Sequence, residues 1–203
     1  FALRCRLAAI ELYAMGEAKP GFQQGNSYGA PYRYNEDSWH DDMEWGAAEL
    51  YRLTGAEEYL QKAMKHARVA ETAGWMMMDT MDHYQKYPFM NMGHYALFSV
   101  APMGMRDSLV EWYKMSIENV LSRAATNAFY MGVPFIWCSN NLLVNFITQI
   151  AIYERMTGDH QYHKAKVLHR DWLFGRNPWG TSMFTGIPVD GETPEDVHLP
   201  STR

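Results

Sequence analysis

Cysteine is nearly absent from this chain. Only Cys5 and Cys138 occur in 203 residues, which excludes a disulfide scaffold and a cysteine-rich zinc site. Whether those two pair is open at the level of sequence. Long apolar runs are missing too. None approaches the ~20 residues that span a bilayer, so no membrane partner is expected. A basic excess is also lacking: 18 Lys and Arg stand against 23 Asp and Glu, a formal charge of -5. That excludes the footprint of a general nucleic-acid binder. No stretch alternates with period two for long enough to demand a sheet. Nothing resembling a leader precedes Phe1, and the sequence stops in turn-rich residues at Arg203. The expectation is therefore a segment of something longer, from which localisation is not readable.

Aromatic residues, by contrast, are plentiful: seven Trp, 13 Tyr and 9 Phe. Such rings fill cores, and they also stack on the flat apolar faces of sugars. Fifteen Met suit the irregular gaps between helices.

Helical periodicity runs through the chain. Leu3, Leu7, Ile10 and Ala14 share one face of a first helix. Residues 18–40 read as a loop rich in Gly, Pro, Asn and Tyr. Asp41 or Asp42 is expected to cap a helix reaching Thr54, with Met43, Ala47, Leu50 and Leu53 as its apolar stripe and Gly55 as its stop. The next helix, 56–73, turns Tyr59, Leu60, Met64, Ala67 and Ala70 inward. An irregular Met-rich stretch follows, then helices at about 90–100, 105–127, 139–157 and 160–174. The tail, 176–203, reads as loop.

One echo recurs 103 residues apart. Arg52-Leu-Thr-Gly-Ala-Glu-Glu-Tyr59 resembles Arg155-Met-Thr-Gly-Asp-His-Gln-Tyr162. Each ends a helix at Thr-Gly and starts another within a few residues, the pattern of an antiparallel helical hairpin. The spacing is too long for a short solenoid repeat and fits a toroid or superhelix of hairpins.

Three segments carry functional signal. The first is Asp37-Ser-Trp-His-Asp-Asp-Met-Glu-Trp-Gly-Ala-Ala48. The second is Pro134-Phe-Ile-Trp-Cys-Ser-Asn-Asn-Leu142. The third is Leu173-Phe-Gly-Arg-Asn-Pro-Trp-Gly-Thr-Ser182, followed by Pro194-Glu-Asp-Val-His198. In order and helical context they resemble glycoside hydrolase family 9, the inverting cellulases and endoglucanases of polysaccharide degradation. Ser38, Asp41, Asp42, Met43, Trp45, Ala47 and Ala48 fall in register with the first family block, Trp137 and Ser139 with the second. Gly175, Asn177, Pro178, Gly180 and Ser182 match the third, which is the most specific. The resemblance implies an all-α fold, residues 1–203 forming a single domain that is part of an (α/α)6 barrel. It also implies a β-1,4-glucan or cello-oligosaccharide substrate, and secretion or cell-surface display of the parent protein.

The same resemblance assigns roles. Trp137 would stack on a sugar ring, and His198 would bind a sugar hydroxyl. Asn141 stands where relatives carry an Arg that reaches substrate. Tyr34 and Asp37 would line the rim of the cleft. Ser38, Asp41 and Asp42 would offer hard oxygens to Ca²⁺, with Asp79 and Asp82 as candidates for a further ligand. Arg176 and Asn177 are read as holding a turn, Glu195 and Asp196 as shaping a loop. His160 and His163 stand at i,i+3 with no third ligand in view.

The family's catalytic base lies in an Asp-Ala-Gly-Asp segment, and its acid is a Glu in an Asn-Glu context. No Asp-Ala-Gly-Asp segment occurs among these residues, and the Asn-Glu segment is expected downstream of the His198 loop, beyond them. Inverting hydrolysis needs both carboxyl groups, one on each side of the scissile bond. No catalytic residue is therefore assigned, and acid and base are expected outside this chain. A partial barrel would leave helix faces uncovered, so a homo-oligomer or a partner chain completing the barrel is expected. The alternative is a non-catalytic helical module that binds carbohydrate or protein through an aromatic groove.

Overall fold

The computed structural model describes residues 1–21, 38–72, 76, 91–134 and 139–189. Among these it contains seven named helices and no strand. They are α1 (Ala2–Ala18), α2 (His40–Thr54), α3 (Glu57–Ala70), α4 (Met92–Phe98), α5 (Met103–Ala124), α6 (Ser139–Thr157) and α7 (His163–Leu173). The expected all-α hairpin architecture is present. The only bridge of β type among the described residues joins Phe174 to Ser182.

The two Thr-Gly turns share their Thr and Gly bonds. Thr54 Oγ1 donates to the Leu50 carbonyl at 2.7 Å and accepts the Ala56 N–H at 3.2 Å. Thr157 Oγ1 donates to the Tyr153 carbonyl at 2.8 Å and accepts the Asp159 N–H at 3.0 Å. Gly55 and Gly158 follow at φ 70 and 73, a left-handed conformation that suits a residue without Cβ. Each glycine N–H closes the preceding helix, on Tyr51 and Glu154 respectively, both at 2.8 Å. Tyr59 and Tyr162, four residues beyond each glycine, are both buried. The result is two hairpins, α2–α3 and α6–α7.

Each hairpin has its own core. Tyr13, Ala47, Leu50, Leu60, Ala63 and Leu97 pack in the first, Leu142, Phe146, Ile150, Ala165 and Trp172 in the second. The long α5 joins them. Its Met105 and Leu109 enter the first core, and Tyr113, Ile117 and Val120, further along the same helix, enter the second.

Two expectations are corrected. In α1 the periodic face is covered only in part: Leu3 and Leu7 are exposed, Ile10 is half-buried against the first core, and Tyr13 is the buried residue. In α2 neither Asp41 nor Asp42 is the cap. The helix starts at His40, whose N–H is accepted by Ser38 Oγ at 3.3 Å, and both aspartates lie in the first turn. Its buried face is Asp41, Glu44, Ala47, Ala48 and Leu50, whereas Leu53 is exposed.

Candidate functional site

The Gly-Arg-Asn-Pro-Trp-Gly-Thr-Ser block folds into a tight loop at the end of α7. Asn177 is its pin. Its buried side chain donates Nδ2 to the Trp172 carbonyl at 2.8 Å and to the Thr181 carbonyl at 2.7 Å. Its Oδ1 accepts the N–H groups of Trp179 at 3.1 Å and Thr181 at 3.3 Å. Met183 N–H donates to the Leu173 carbonyl at 2.8 Å, folding the loop back on the helix end. Arg176 reaches the Phe129 carbonyl at 3.4 Å. The turn-holding reading of Asn177 and Arg176 agrees with these bonds. The loop turns Phe174, Trp179 and Phe184 toward solvent; Phe174 and Phe184 lie 4.9 Å apart, and Trp179 meets Trp172 edge-on at 6.0 Å.

Asn141 lies exposed in the first turn of α6, where its carbonyl accepts Asn145 Nδ2 at 2.7 Å. Trp137, His198, Tyr34 and Asp37 lie outside the described residues, as do Cys138, Asp79, Asp82, Glu195 and Asp196. Cys5 is an exposed free thiol.

The expected calcium ligands Ser38, Asp41 and Asp42 lie at the start of α2. Asp41 is buried, whereas Asp42 faces outward, although the atoms crowding its carboxyl push its pKa above the ordinary carboxylate value. Adjacent helical positions point about 100° apart, which separates the two carboxylates. Ser38 spends its hydroxyl on the α2 start. Calcium takes six to eight oxygens. These three residues would supply part of such a set.

The same segment holds a polar cluster that motif reasoning passed over. Glu44 is fully buried, and its Oε1 lies 2.6 Å from His94 Nδ1. Its Oε2 accepts Asn91 Nδ2 at 3.0 Å. Asn91 Oδ1 caps α4 by accepting the His94 N–H at 3.2 Å, and the Asn91 carbonyl accepts the Tyr113 hydroxyl at 2.6 Å. His94 Nε2 turns to the Glu71 carbonyl. Burial, with the nearby Glu44 charge, pushes the Tyr113 phenol far above its usual range. One signal was available: Glu44 sits three and four residues before Ala47 and Ala48, a carboxylate on the buried stripe. On the outer side of α2, a groove of about 300 Å³ runs along α4, lined by Trp45, Glu49, Arg52, Tyr95 and Phe98.

Residues 1–201 match the family model Glycosyl hydrolase family 9. The chain belongs to that family. Endoglucanase C of Cellulomonas fimi is 27% identical over 183 residues, covering 86% of this family 9 chain and 15% of that protein. The xyloglucan-specific endo-beta-1,4-glucanase BoGH9A of Bacteroides ovatus is 25% identical over 98% of this chain and 35% of its own length. A solved Bacteroides ovatus GH9 structure superposes with a TM-score of 0.69 at 23% identity, covering 95% of this chain and 37% of that one. The family 9 chain thus spans well under half of each of these proteins. The superposition places its hairpins in the (α/α)6 barrel architecture.

Proposed function

We propose that this family 9 chain is the central part of a β-1,4-glucan hydrolase acting with inversion, its general acid and base lying outside residues 1–203. The observation that carries the proposal is the Gly175-to-Ser182 block: the family's most specific motif, folded by Asn177 into a loop that presents aromatic side chains at the end of α7. Endoglucanases among the relatives support the glucan substrate. In this reading Trp137 stacks on a pyranose ring, His198 and Asn141 hydrogen-bond hydroxyls, and Tyr34 and Asp37 form the rim. The leucines and Met15 that α1 turns outward support contact with further helices of the barrel. Secretion or surface display of the parent belongs to the same proposal.

The test is the parent open reading frame. An Asp-x-Gly-Asp segment upstream and an Asn-Glu segment downstream are expected, and an in-frame parent lacking both would overturn the reading. The α2–α4 groove favours one second reading, a non-catalytic carbohydrate module, since Trp45, Tyr95 and Phe98 offer ring faces beside the polar Glu49 and Arg52. Cello-oligosaccharide binding abolished by Trp45→Ala but untouched by Trp137→Ala would favour that module over the hydrolase.

A further inference from the structure

The turn between α6 and α7 supplies the third ligand that the His160/His163 spacing lacks. Glu154, in the last turn of α6, sends Oε1 to within 3.3 Å of His163 Nδ1 and 3.6 Å of His160 Nδ1. The three ligand atoms all lie within 4.8 Å of one another. A hydrogen bond from an imidazole to a carboxylate settles nearer to about 2.8 Å, so two such long contacts on one oxygen are poor hydrogen bonds. They are close to the edges of a coordination tetrahedron. Nitrogen and oxygen ligands about 2.0–2.1 Å from a zinc ion stand roughly 3.3–3.4 Å from each other.

The surroundings hold the trio in place. Lys166 binds the other carboxylate oxygen, Oε2, which leaves Oε1 to the two imidazoles. Asp159 fixes the turn that carries His160: its Oδ1 accepts the Gln161 N–H at 2.9 Å, and its Oδ2 accepts the Tyr153 hydroxyl at 3.1 Å. Glu154 is buried on the protein side, while the His160 and His163 side chains are 69% and 58% exposed. Remaining coordination positions therefore open to water. Two imidazoles and one carboxylate suit a borderline transition ion rather than calcium or magnesium, which prefer all-oxygen sites.

We propose that Glu154, His160 and His163 bind one divalent transition-metal ion of the zinc class, completed by water, which staples the α6–α7 turn. This site uses none of the residues proposed to bind glucan and does not rest on the hydrolase reading.

The test uses the whole chain. Zn²⁺ is followed by thermal shift and calorimetry, and Co²⁺ by its visible absorption. One ion per chain is expected, with a concentration-dependent rise in Tm. His160→Ala and His163→Ala should each weaken binding about tenfold or more, the scale on which lost support degrades a metal site. The double variant should lose the Tm rise and the cobalt bands while keeping its far-ultraviolet circular dichroism, since both side chains are exposed. His40→Ala should change nothing, which controls for the His40–His66 pair, whose Nδ1 atoms lie 2.9 Å apart. Absence of binding at about 1 mM Zn²⁺, retention of binding in the double variant, or its loss in His40→Ala would each overturn the proposal.

Discussion

At the scale of single residues, Glu44 makes the sharpest claim. Its carboxylate is the shared acceptor for His94 Nδ1 and Asn91 Nδ2, and all three residues are buried. Glu44→Ala would strand both donors without water to replace the lost acceptor. A loss of about 2–6 kcal/mol is expected, about 1–3 kcal/mol for each buried donor left without its acceptor. Glu44→Gln keeps the volume and one acceptor oxygen and should lose less. Gly93 belongs to the same cluster for want of space. A Cβ there would come 2.9 Å from the Glu44 carboxyl carbon and from Asn91 Oδ1, and 3.0 Å from the Asp41 carbonyl. Gly93→Ala should cost about 1–3 kcal/mol through overpacking. Urea denaturation of the three variants checks the ranking, and an unchanged midpoint in Glu44→Ala would refute it. None of this was readable as a motif. Asp41 and Asp42 drew attention as an adjacent acidic pair, while Glu44 makes its contacts to residues 47 and 50 positions away, which spacing alone does not reveal.

At the scale of elements, the Thr-Gly hairpin was legible and the reason is local. Thr and Gly make the bonds common to both turns within a few residues, so the repeated string implies the repeated shape. The inward face of α3 was legible for a similar reason: Tyr59, Leu60, Met64, Ala67 and Ala70 are all buried. For α1 periodicity held at Ile10 and not at Leu3 and Leu7, because it names an apolar face without naming what covers it. Gly55→Ala and Gly158→Ala are each expected to cost about 1–2 kcal/mol, since L residues are strained at positive φ. Chemical denaturation measures this, and a neutral result at both sites would count against the turn geometry. A second element-scale prediction concerns α7. His169 is buried, donating Nδ1–H to the Ala165 carbonyl at 2.8 Å and accepting the Gly132 N–H on Nε2 at 3.3 Å. Burial, reinforced by the Arg176 charge, holds its pKa below the ordinary histidine value, although the Ala165 carbonyl pulls the other way. Below about pH 6.5 the unfolded chain takes up a proton that the native imidazole refuses. Stability should therefore fall as pH drops from above 6.5 toward the native pKa, then level off as far as this group is concerned. The decline in Tm between pH 7.5 and 5.5 should be shallower in His169→Gln, and an identical slope would exclude His169 as its source.

At the scale of the whole molecule, the family was legible because its three motifs keep their order and helical context. Trp137 and His198, the cleft residues the motifs imply, lie outside the described residues. Size decides what the chain can do alone. It covers 15% and 35% of the two curated relatives described above, and the proposal places acid and base outside its 203 residues. Each positioned proton-transfer group contributes on the order of 10²–10⁴-fold to rate. Without both, only binding and orientation remain, and a sugar site normally encloses most of its ligand. Purified chain 1–203 is therefore expected to bind cello-oligosaccharides weakly and to release reducing ends from carboxymethylcellulose at least about 10⁴-fold more slowly than a full-length family member. Asp41→Ala, Asp42→Ala and Glu195→Ala serve as controls, since these carboxylates lie in the family blocks that the chain does contain. Robust turnover abolished by one of them would show that a carboxylate within the chain does the chemistry, and the placement of acid and base outside it would be wrong. Residual turnover unchanged by all three, at the expected low level, would leave the parent protein as the place where the reaction is completed.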